Sequence, residues 1–231
     1  MIVLFLFLIE GSNNMKIEEI NIKDERYPNK LRNIYDPPKK LYVLGNGEIL
    51  KNKGIAIVGS RKATDYGKKV TLKISTELVN KEINIISGLA IGIDSYAHMG
   101  ALIASGKGKT IAVLGSGIDE IYPKENTELA RKIIQTGGCI VSEYPLGTKP
   151  NKINFPQRNR IISGLSDGVV VIEATKSSGS LITAEFGMEQ GREIFAVPGN
   201  IFNPASEGTN ELIRDGATIV LSSKEIIEEI K

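Results

Sequence analysis

Short runs rich in isoleucine and valine recur from residue 53 onward and constrain the fold more than any other feature. They are GIAIVGS (54–60), INIISG (83–88), KTIAVLGS (109–116), CIVSEYP (139–145), GVVVIEA (168–174), EIFAVPG (193–199) and TIVLS (218–222). Stretches with a helical pattern separate them, and such alternation predicts a parallel sheet with right-handed crossovers. Nearly continuous apolar strands agree, because a sheet covered by helices is buried on both sides. We therefore predict an α/β fold: an extended, Rossmann-like, doubly wound, mostly parallel sheet with helices on both faces.

The length of 231 residues, 41% of them hydrophobic, is enough to bury one sizeable core. We assign residues 53–231 to the Rossmann-like core and residues 16–52, which are interrupted by prolines, to a lead-in segment that packs on it. The opening MIVLFLFLI is far shorter than the roughly 20 residues that span a bilayer, and it lacks a basic region and a cleavage site. Residues 1–15 are therefore interpreted as a tail or as a start assigned upstream of Met15. We predict a cytoplasmic protein without a membrane partner.

Composition excludes several classes of site. Cys139 is the single cysteine, so no internal disulfide can form, and this fits a reducing cytosol. With one histidine, His98, a structural zinc site is excluded, and we predict no metal and no cofactor. The net charge is only +2, so a polyanionic partner would have to be recognised by the position of the basic residues rather than by their number.

The pentapeptide IISGL occurs twice, at 85–89 and at 161–165. In the first copy Ile85 and Ile86 end a strand, so the serine and glycine that follow form a turn beyond its carboxyl end. The second copy lies in RNRIISGLS and is followed directly by the strand GVVVIEA, which requires a short helix there. The two copies are therefore not a repeat of one site.

Ligands of open α/β sheets bind outside the carboxyl ends of the strands. The glycine and serine residues that follow those ends allow backbone amides to approach an anion, and helix N-termini add partial positive charge. The candidate anion-binding residues of this kind are Ser60, Ser87, Gly88, Gly115, Ser178 and Gly179.

Basic residues are placed on the same rim. They are Arg61, Lys62, Lys124, Lys149, Lys152, Arg158, Arg160 and Lys176. Phe155 stands among them, three residues from Lys152 and from Arg158, and cations interleaved with an aromatic ring suit an unpaired nucleic-acid strand. Arg158 and Arg160 are two positions apart, so on a helix they cannot face the same way. We expect one to face the ligand and the other a carboxylate, and the sequence leaves open which.

Two segments have a partial likeness to other functional sites, one for dinucleotide binding and one for a nucleotide hydrolase. The segment GSGIDE (115–120) has two glycines of a dinucleotide-binding fingerprint but Glu120 in place of the third, and no P-loop is present. The segment GSLITAEFG (179–187) is distantly similar to the acidic loop of nucleotide phosphoribohydrolases, with Glu185 as the only candidate acid. Because no second catalytic group is spaced to match, that enzyme is the alternative reading, and we assign His98 to packing.

Long, ordered strings carry a resemblance to a known family, the DNA-processing protein A (DprA/Smf) family, collinear from about residue 27 to 222. The strings are GSR (59–61), SGLAIGID (87–94), TIAVLGSGIDEIYPKEN (110–126), SEYPLG (142–147), FPQRNRIISGLSDGVVVIEA (155–174), SGSLITAEFGMEQGREIFAVPGN (178–200) and EGTNELIRDGA (207–217).

The resemblance implies an extended Rossmann fold that binds single-stranded DNA without sequence preference. It also implies loading of RecA recombinase during natural transformation, a homodimer, and no catalytic residues. Carried over by position, the basic pocket would include Arg61, Lys124, Lys152 and Phe155, the last two before the arginine helix. A dimer surface is expected at 193–215. Many relatives add an N-terminal helical domain and a C-terminal winged-helix domain, and we expect neither in this chain.

Overall fold

The computed structural model describes residues 16–230. Within this range, strands form one mixed sheet. They are β1 (Glu18–Asn21), β2 (Lys40–Gly45), β3 (Gly54–Val58), β4 (Asn84–Ser87), β5 (Thr110–Leu114), β6 (Cys139–Ser142), β7 (Gly168–Val171), β8 (Glu193–Ala196) and β9 (Thr218–Ile219). The expected tail or misassigned start at 1–15 lies outside the described residues.

The strand order is β1-β2-β6-β5-β4-β3-β7-β8-β9. From β6 to β9 every neighbouring pair is parallel, whereas β1 and β2 pair in an antiparallel manner, as do β2 and β6. The chain runs outward from β3 in one direction through β4, β5 and β6, and then crosses to β7 on the other side of β3. This reversal beside β3 is the switch point of a doubly wound sheet, and it creates a crevice at the carboxyl ends of β3 and β7. The predicted fold class is confirmed.

The helices that connect the strands are α1 (Asn29–Arg32), α2 (Asp65–Asn80), α3 (Ile93–Ile103), α4 (Thr127–Gln135), α5 (Asn154–Gly164), α6 (Gly179–Glu189), α7 (Glu207–Arg214) and α8 (Ser223–Glu229). Local signals place several of their ends. The Thr64 hydroxyl caps α2 by accepting a hydrogen bond from the Gly67 amide, and Ser222 and Glu225 form a capping box at α8. No helix between residues 16 and 230 is long and apolar enough to cross a membrane.

The core is divided between the two faces of the sheet. Helices α2, α3, α4 and α8 cover one face, where side chains such as Ile57 and Ile133 are fully buried. Helices α1, α5 and α6 cover the other, with Leu31 and Ile161 buried against Val171. The alternation of the sheet faces along each strand explains why strands from β3 to β7 are apolar at nearly every position.

Residues 16–52 do more than pack on the sheet. Tyr27 and Leu31 are buried in the core, and the Tyr27 hydroxyl donates a hydrogen bond to the Pro38 carbonyl (2.8 Å). The same segment also contributes β1 and β2, which extend the sheet beyond β6. The lead-in is therefore integrated into the sheet edge.

Candidate nucleic-acid interface

A cleft of about 700 Å³ opens at the carboxyl ends of β3 and β7, where the strand order reverses. It is lined by the loop after β3, the first two turns of α5 and the N-terminus of α6. The predicted site residues that line it are Ser60, Arg61, Lys152, Phe155, Arg158, Ser178 and Gly179. The topology thus brings residues from distant parts of the sequence to one site.

The loop after β3 is held close to the start of α3. The Ser60 amide donates to the Glu173 carbonyl (2.8 Å), and the Ile93 amide donates to the Ser60 carbonyl (3.1 Å). Gly92 permits this approach, because its φ is +88° and a Cβ there would lie 2.3 Å from the Ser60 oxygen. Arg61 follows in this fixed loop and its side chain is exposed to the cleft.

Phe155 lies at the centre of the cleft with cations around it. The Arg61 guanidinium carbon lies 5.8 Å from the centre of the Phe155 ring, and that of Arg158 lies 6.0 Å from it. Phe155 is the second residue of α5 and does not precede that helix. Pro156 does not prevent this, because proline is tolerated in the first turn of a helix. The helix therefore begins earlier than predicted, and it fixes the direction of the ring.

Arg158 is almost completely buried, at 5% exposure, although it reaches the floor of the cleft. Its Nη1 donates to the carbonyls of Gly88 (2.9 Å) and Val113, which lie at the carboxyl ends of β4 and β5. Burial lowers the pKa of Arg158 to about 10, partly offset by the charge of Asp94. Its hydrogen bonds attach α5 to the sheet beneath Phe155.

Arg160 points away from Arg158 and is held by two acids. Its Nη1 and Nη2 donate to the two carboxylate oxygens of Glu143 (2.8 and 2.7 Å), and its Nε donates to Asp36 Oδ2 (3.1 Å). Arg160 does not line the cleft. Arg160 therefore has the carboxylate partners, whereas Arg158 is the arginine that lines the cleft.

Several of the predicted anion-binding residues are occupied or covered within the protein, including Ser60, whose amide donates to the Glu173 carbonyl (2.8 Å). The Ser87 hydroxyl is buried and donates to the Ile57 carbonyl (2.7 Å), and the Gly88 amide donates to Asp94 Oδ2 (3.1 Å). Gly115 lies beneath the Phe155 ring, where a Cβ would be 2.9 Å from a ring carbon. The role of Ser87, Gly88 and Gly115 as backbone donors to a ligand is not supported, because the short turns after β4 and β5 are covered by α3 and α5.

The turn after β7 lines the cleft, and within it the Ser178 amide donates to the Thr175 carbonyl (3.0 Å). Ser178 is the N-cap of α6, and the Asn159 amide group donates to the Gly179 carbonyl (3.1 Å), which joins this turn to α5. No acidic residue lies in the first turn of α6. The N-terminus of this 11-residue helix therefore presents its partial positive charge to the cleft.

The remaining basic residues of the rim fall into two groups. Lys149 pairs with Glu120, and Lys176 pairs with Glu211. Within residues 16–230, the exposed side chains of Arg61, Lys62, Lys124 and Lys152 have no carboxylate within 4.0 Å. Of these four, Lys124 does not line the cleft and begins a short 3-10 helix, Lys124–Asn126.

The candidate catalytic residues do not lie together in one site. His98 is fully buried, its Nδ1 lies 2.7 Å from the Thr110 hydroxyl, and burial lowers its pKa to about 3. Glu185 is exposed on α6 and does not line the cleft. Asp94 lines the cleft, and burial raises its pKa, but its Oδ2 accepts from the backbone amides of Gly88 and Ala90. These bonds hold the loop between β4 and α3 in place.

Among the cleft residues that sequence reasoning missed, Tyr122 is the aromatic one. Its ring centre lies 5.6 Å from that of Phe155, with 31° between the ring planes. An aromatic residue directly after the β5 turn, two positions before Lys124, was the available signal. Sequence reasoning placed only one aromatic side chain, Phe155, on the rim.

The fold and the cleft define a Rossmann-like α/β protein with a basic, aromatic-lined cleft at the carboxyl ends of its strands. The family model for DNA recombination-mediator protein A matches residues 18–231, and the chain belongs to that family.

Individual proteins of this family are similar to the chain in sequence and in structure. DNA processing protein DprA of Bacillus subtilis is 46% identical over 215 residues, which are 93% of this chain and 71% of that protein. The X-ray structure of DprA from Streptococcus pneumoniae superposes with a TM-score of 0.88 at 46% identity, covering 94% of this chain and 75% of that one. A structure of DNA processing protein A from Helicobacter pylori, which describes its single-stranded DNA binding mode, superposes with a TM-score of 0.83 at 32% identity. The match covers 94% of this chain and 96% of that one.

Proposed function

We propose that this protein binds single-stranded DNA in the cleft without sequence preference, as a recombination mediator. The observation that carries the proposal is the placement of the unpaired Arg61 and Lys152 beside the rings of Phe155 and Tyr122 in one cleft. Cations neutralise phosphates and ring faces stack on bases of any identity, so this combination suits an unpaired strand. The binding mode described for the Helicobacter pylori relative supports it.

Single strands should be preferred to duplex, because the bases of a duplex are stacked on one another and cannot reach rings at the floor of a cleft. The chemistry available is binding rather than bond cleavage, since His98 is in the core and Glu185 is outside the cleft. We accordingly propose a cytoplasmic, non-enzymatic role, without cofactor or metal. No specific contact favours the phosphoribohydrolase alternative.

The proposal extends to the partners that family membership implies, a second copy of the chain and the RecA recombinase. Ile201 and Phe202 support the homodimer, because they lie within the predicted stretch 193–215 and are 77% and 88% exposed. Exposed large apolar side chains next to each other are typical of interaction surfaces. Light scattering at micromolar concentration should show a dimer, and Phe202→Asp should shift it to monomer. A monomeric parent protein would contradict this part of the proposal.

The central experiment is a pair of assays on the same preparation. Fluorescence anisotropy with single-stranded oligonucleotides of different sequence, and with the matching duplexes, should show similar affinities among single strands and weaker duplex binding. The logarithm of affinity should fall with the logarithm of salt concentration by about 0.7 for each neutralised phosphate. A parallel assay for base release from nucleoside monophosphates should show none. Duplex preference, salt-insensitive binding or base release would overturn the proposal.

RecA loading is tested separately. The protein should accelerate formation of RecA filaments on a single strand, and a variant that no longer binds the strand should lose this effect. Strand binding without any acceleration would limit the function to DNA binding.

A further inference from the structure

Tyr122 combines a half-exposed ring at the cleft with a hydroxyl group that the fold does not use. Its hydroxyl makes no hydrogen bond within residues 16–230; among the described tyrosines only Tyr27 and Tyr66 make one, to the carbonyls of Pro38 (2.8 Å) and Pro198 (3.0 Å). Tyr122 is 46% exposed, although a ring of this size contributes strongly to a core when it is buried. One part of the ring packs against Phe155, and the rest remains free to contact a ligand in the cleft.

We propose that Tyr122 is a second base-stacking residue, which adds a nucleotide contact beside the one at Phe155. The inference rests on the proposed function, because it names a further contact of the same strand. Tyr122 lines the main cleft and also a side pocket of about 160 Å³ that it shares with Ile91, Phe155 and Arg61. It thus stands where the cleft and the side pocket meet.

The spacing of the two rings determines how bases can use them. Carbon atoms in contact lie about 3.5–4.0 Å apart, so a base inserted between two rings needs a separation of roughly 7 Å. The centres of the Tyr122 and Phe155 rings are only 5.6 Å apart. A base therefore cannot enter between them without a rearrangement, and in this geometry it stacks on an outer face of the pair.

The two rings differ in how much free surface they offer. The Phe155 ring is half-buried, with Gly115 on one side and the guanidinium groups of Arg61 and Arg158 near its faces. Tyr122 is the more exposed ring, and no cation–π partner lies over it in the described part of the chain. Tyr122 consequently offers an outer face to a base, with Phe155 supporting the ring from behind.

The test compares Tyr122→Ala with Tyr122→Phe. The alanine variant should lose about 5- to 150-fold in affinity for a single-stranded oligonucleotide, with the salt slope unchanged, because a stacking contact carries no charge. The phenylalanine variant should bind like the parent, since the hydroxyl has no partner. Tyr35→Ala is the matched control, because Tyr35 is fully exposed and lies outside the cleft lining. Thermal unfolding of each variant verifies that the fold is retained.

A direct probe is available because the sequence contains no tryptophan. Tyr122→Trp introduces a single tryptophan, whose fluorescence should be quenched when a base stacks on it, whereas Tyr35→Trp should not respond to the oligonucleotide.

The outcomes separate the two proposals. If the parent does not bind single strands, the proposed function fails. If the parent binds and Arg61→Ala weakens binding, but Tyr122→Ala binds like the parent and Tyr122→Trp is not quenched, the function stands and the assignment of Tyr122 is overturned.

Discussion

Two arginine-bearing segments border the same cleft and are used in opposite ways. In the loop after β3, Arg61 is exposed and has no acidic partner in the described chain, and its neighbour Lys62 is equally free. In the middle of α5, Arg158 and Arg160 are buried, and their hydrogen bonds go to strand carbonyls and to Glu143 and Asp36. A charged residue on the rim is therefore a candidate ligand contact only when no group of the protein already pairs with its charge.

The physical reason lies in the elements that carry the residues. Positions two apart on a helix point in nearly opposite directions, so Arg158 turns towards the sheet and Arg160 towards the loop with Glu143. Both directions lead into protein. Residues of the short loop after β3 instead project past the last hydrogen bond of the sheet, towards solvent. The buried pair positions α5, and the exposed loop remains available for an anion.

The largest loss of folding stability is expected on removing the buried ion pair of Arg160 and Glu143. Arg160→Met should lower the free energy of unfolding by about 3–5 kcal/mol, because it leaves the Glu143 carboxylate without its partner in a site where the side chain is only 16% exposed. Chemical denaturation measures the loss. The double variant Arg160→Met/Glu143→Gln should recover part of it by removing the stranded charge. A loss below about 1 kcal/mol would show that the pair behaves like a surface ion pair.

A second prediction uses pH to test the same buried region. His98 is neutral in the fold, where burial, aided by the nearby charge of Arg158, lowers its pKa to about 3, while in the unfolded chain it titrates near its ordinary value of 6.5. The unfolded state therefore binds the extra proton first. Stability should be complete above pH 6.5 and decline as the pH falls, by about 2 kcal/mol at pH 5 relative to pH 7.5.

His98→Asn provides the control for this prediction. Asparagine can keep a hydrogen bond to the Thr110 hydroxyl but does not titrate, so the decline between pH 6.5 and pH 5 should disappear. If the variant and the parent lose stability equally over this range, another group is responsible.

Substitutions of Phe155 test whether its ring stacks on a base in the cleft. Phe155→Ala should weaken binding of a single-stranded oligonucleotide by about 1–2 kcal/mol, in the lower part of the stacking range because the ring is half-buried, with little change in the salt slope. Phe155→Leu keeps apolar bulk over Gly115 and separates stacking from packing. If leucine restores full affinity, Phe155 acts by supporting the cleft rather than by stacking on a base.

The strands after residue 53 and the distinct structures of the two IISGL copies were predictable, because apolar runs and glycine or serine turns report local structure directly. The positions of Arg61 and Lys152 at the cleft were predictable from the rule that ligands bind at the carboxyl ends of strands. What could not be predicted was which groups already have partners. The bonds of Ser87 to Ile57 and of Gly88 to Asp94 join residues whose proximity depends on strand order and on how closely α3 approaches the sheet. The pairing of β2 with β6 is likewise a property of topology rather than of local pattern.

Our expectation is that the unpartnered cations of the cleft, and not the paired ones, bind the phosphates. It is tested by measuring oligonucleotide affinity at several salt concentrations for Arg61→Ala and Lys152→Ala beside Lys149→Ala and Lys176→Ala. The first two should each weaken binding and lower the salt slope by up to ~0.7, whereas the two paired lysines should leave the slope at the parental value. If the parental slope persists in Arg61→Ala and Lys152→Ala while it falls in Lys149→Ala or Lys176→Ala, the assignment of the cleft is contradicted.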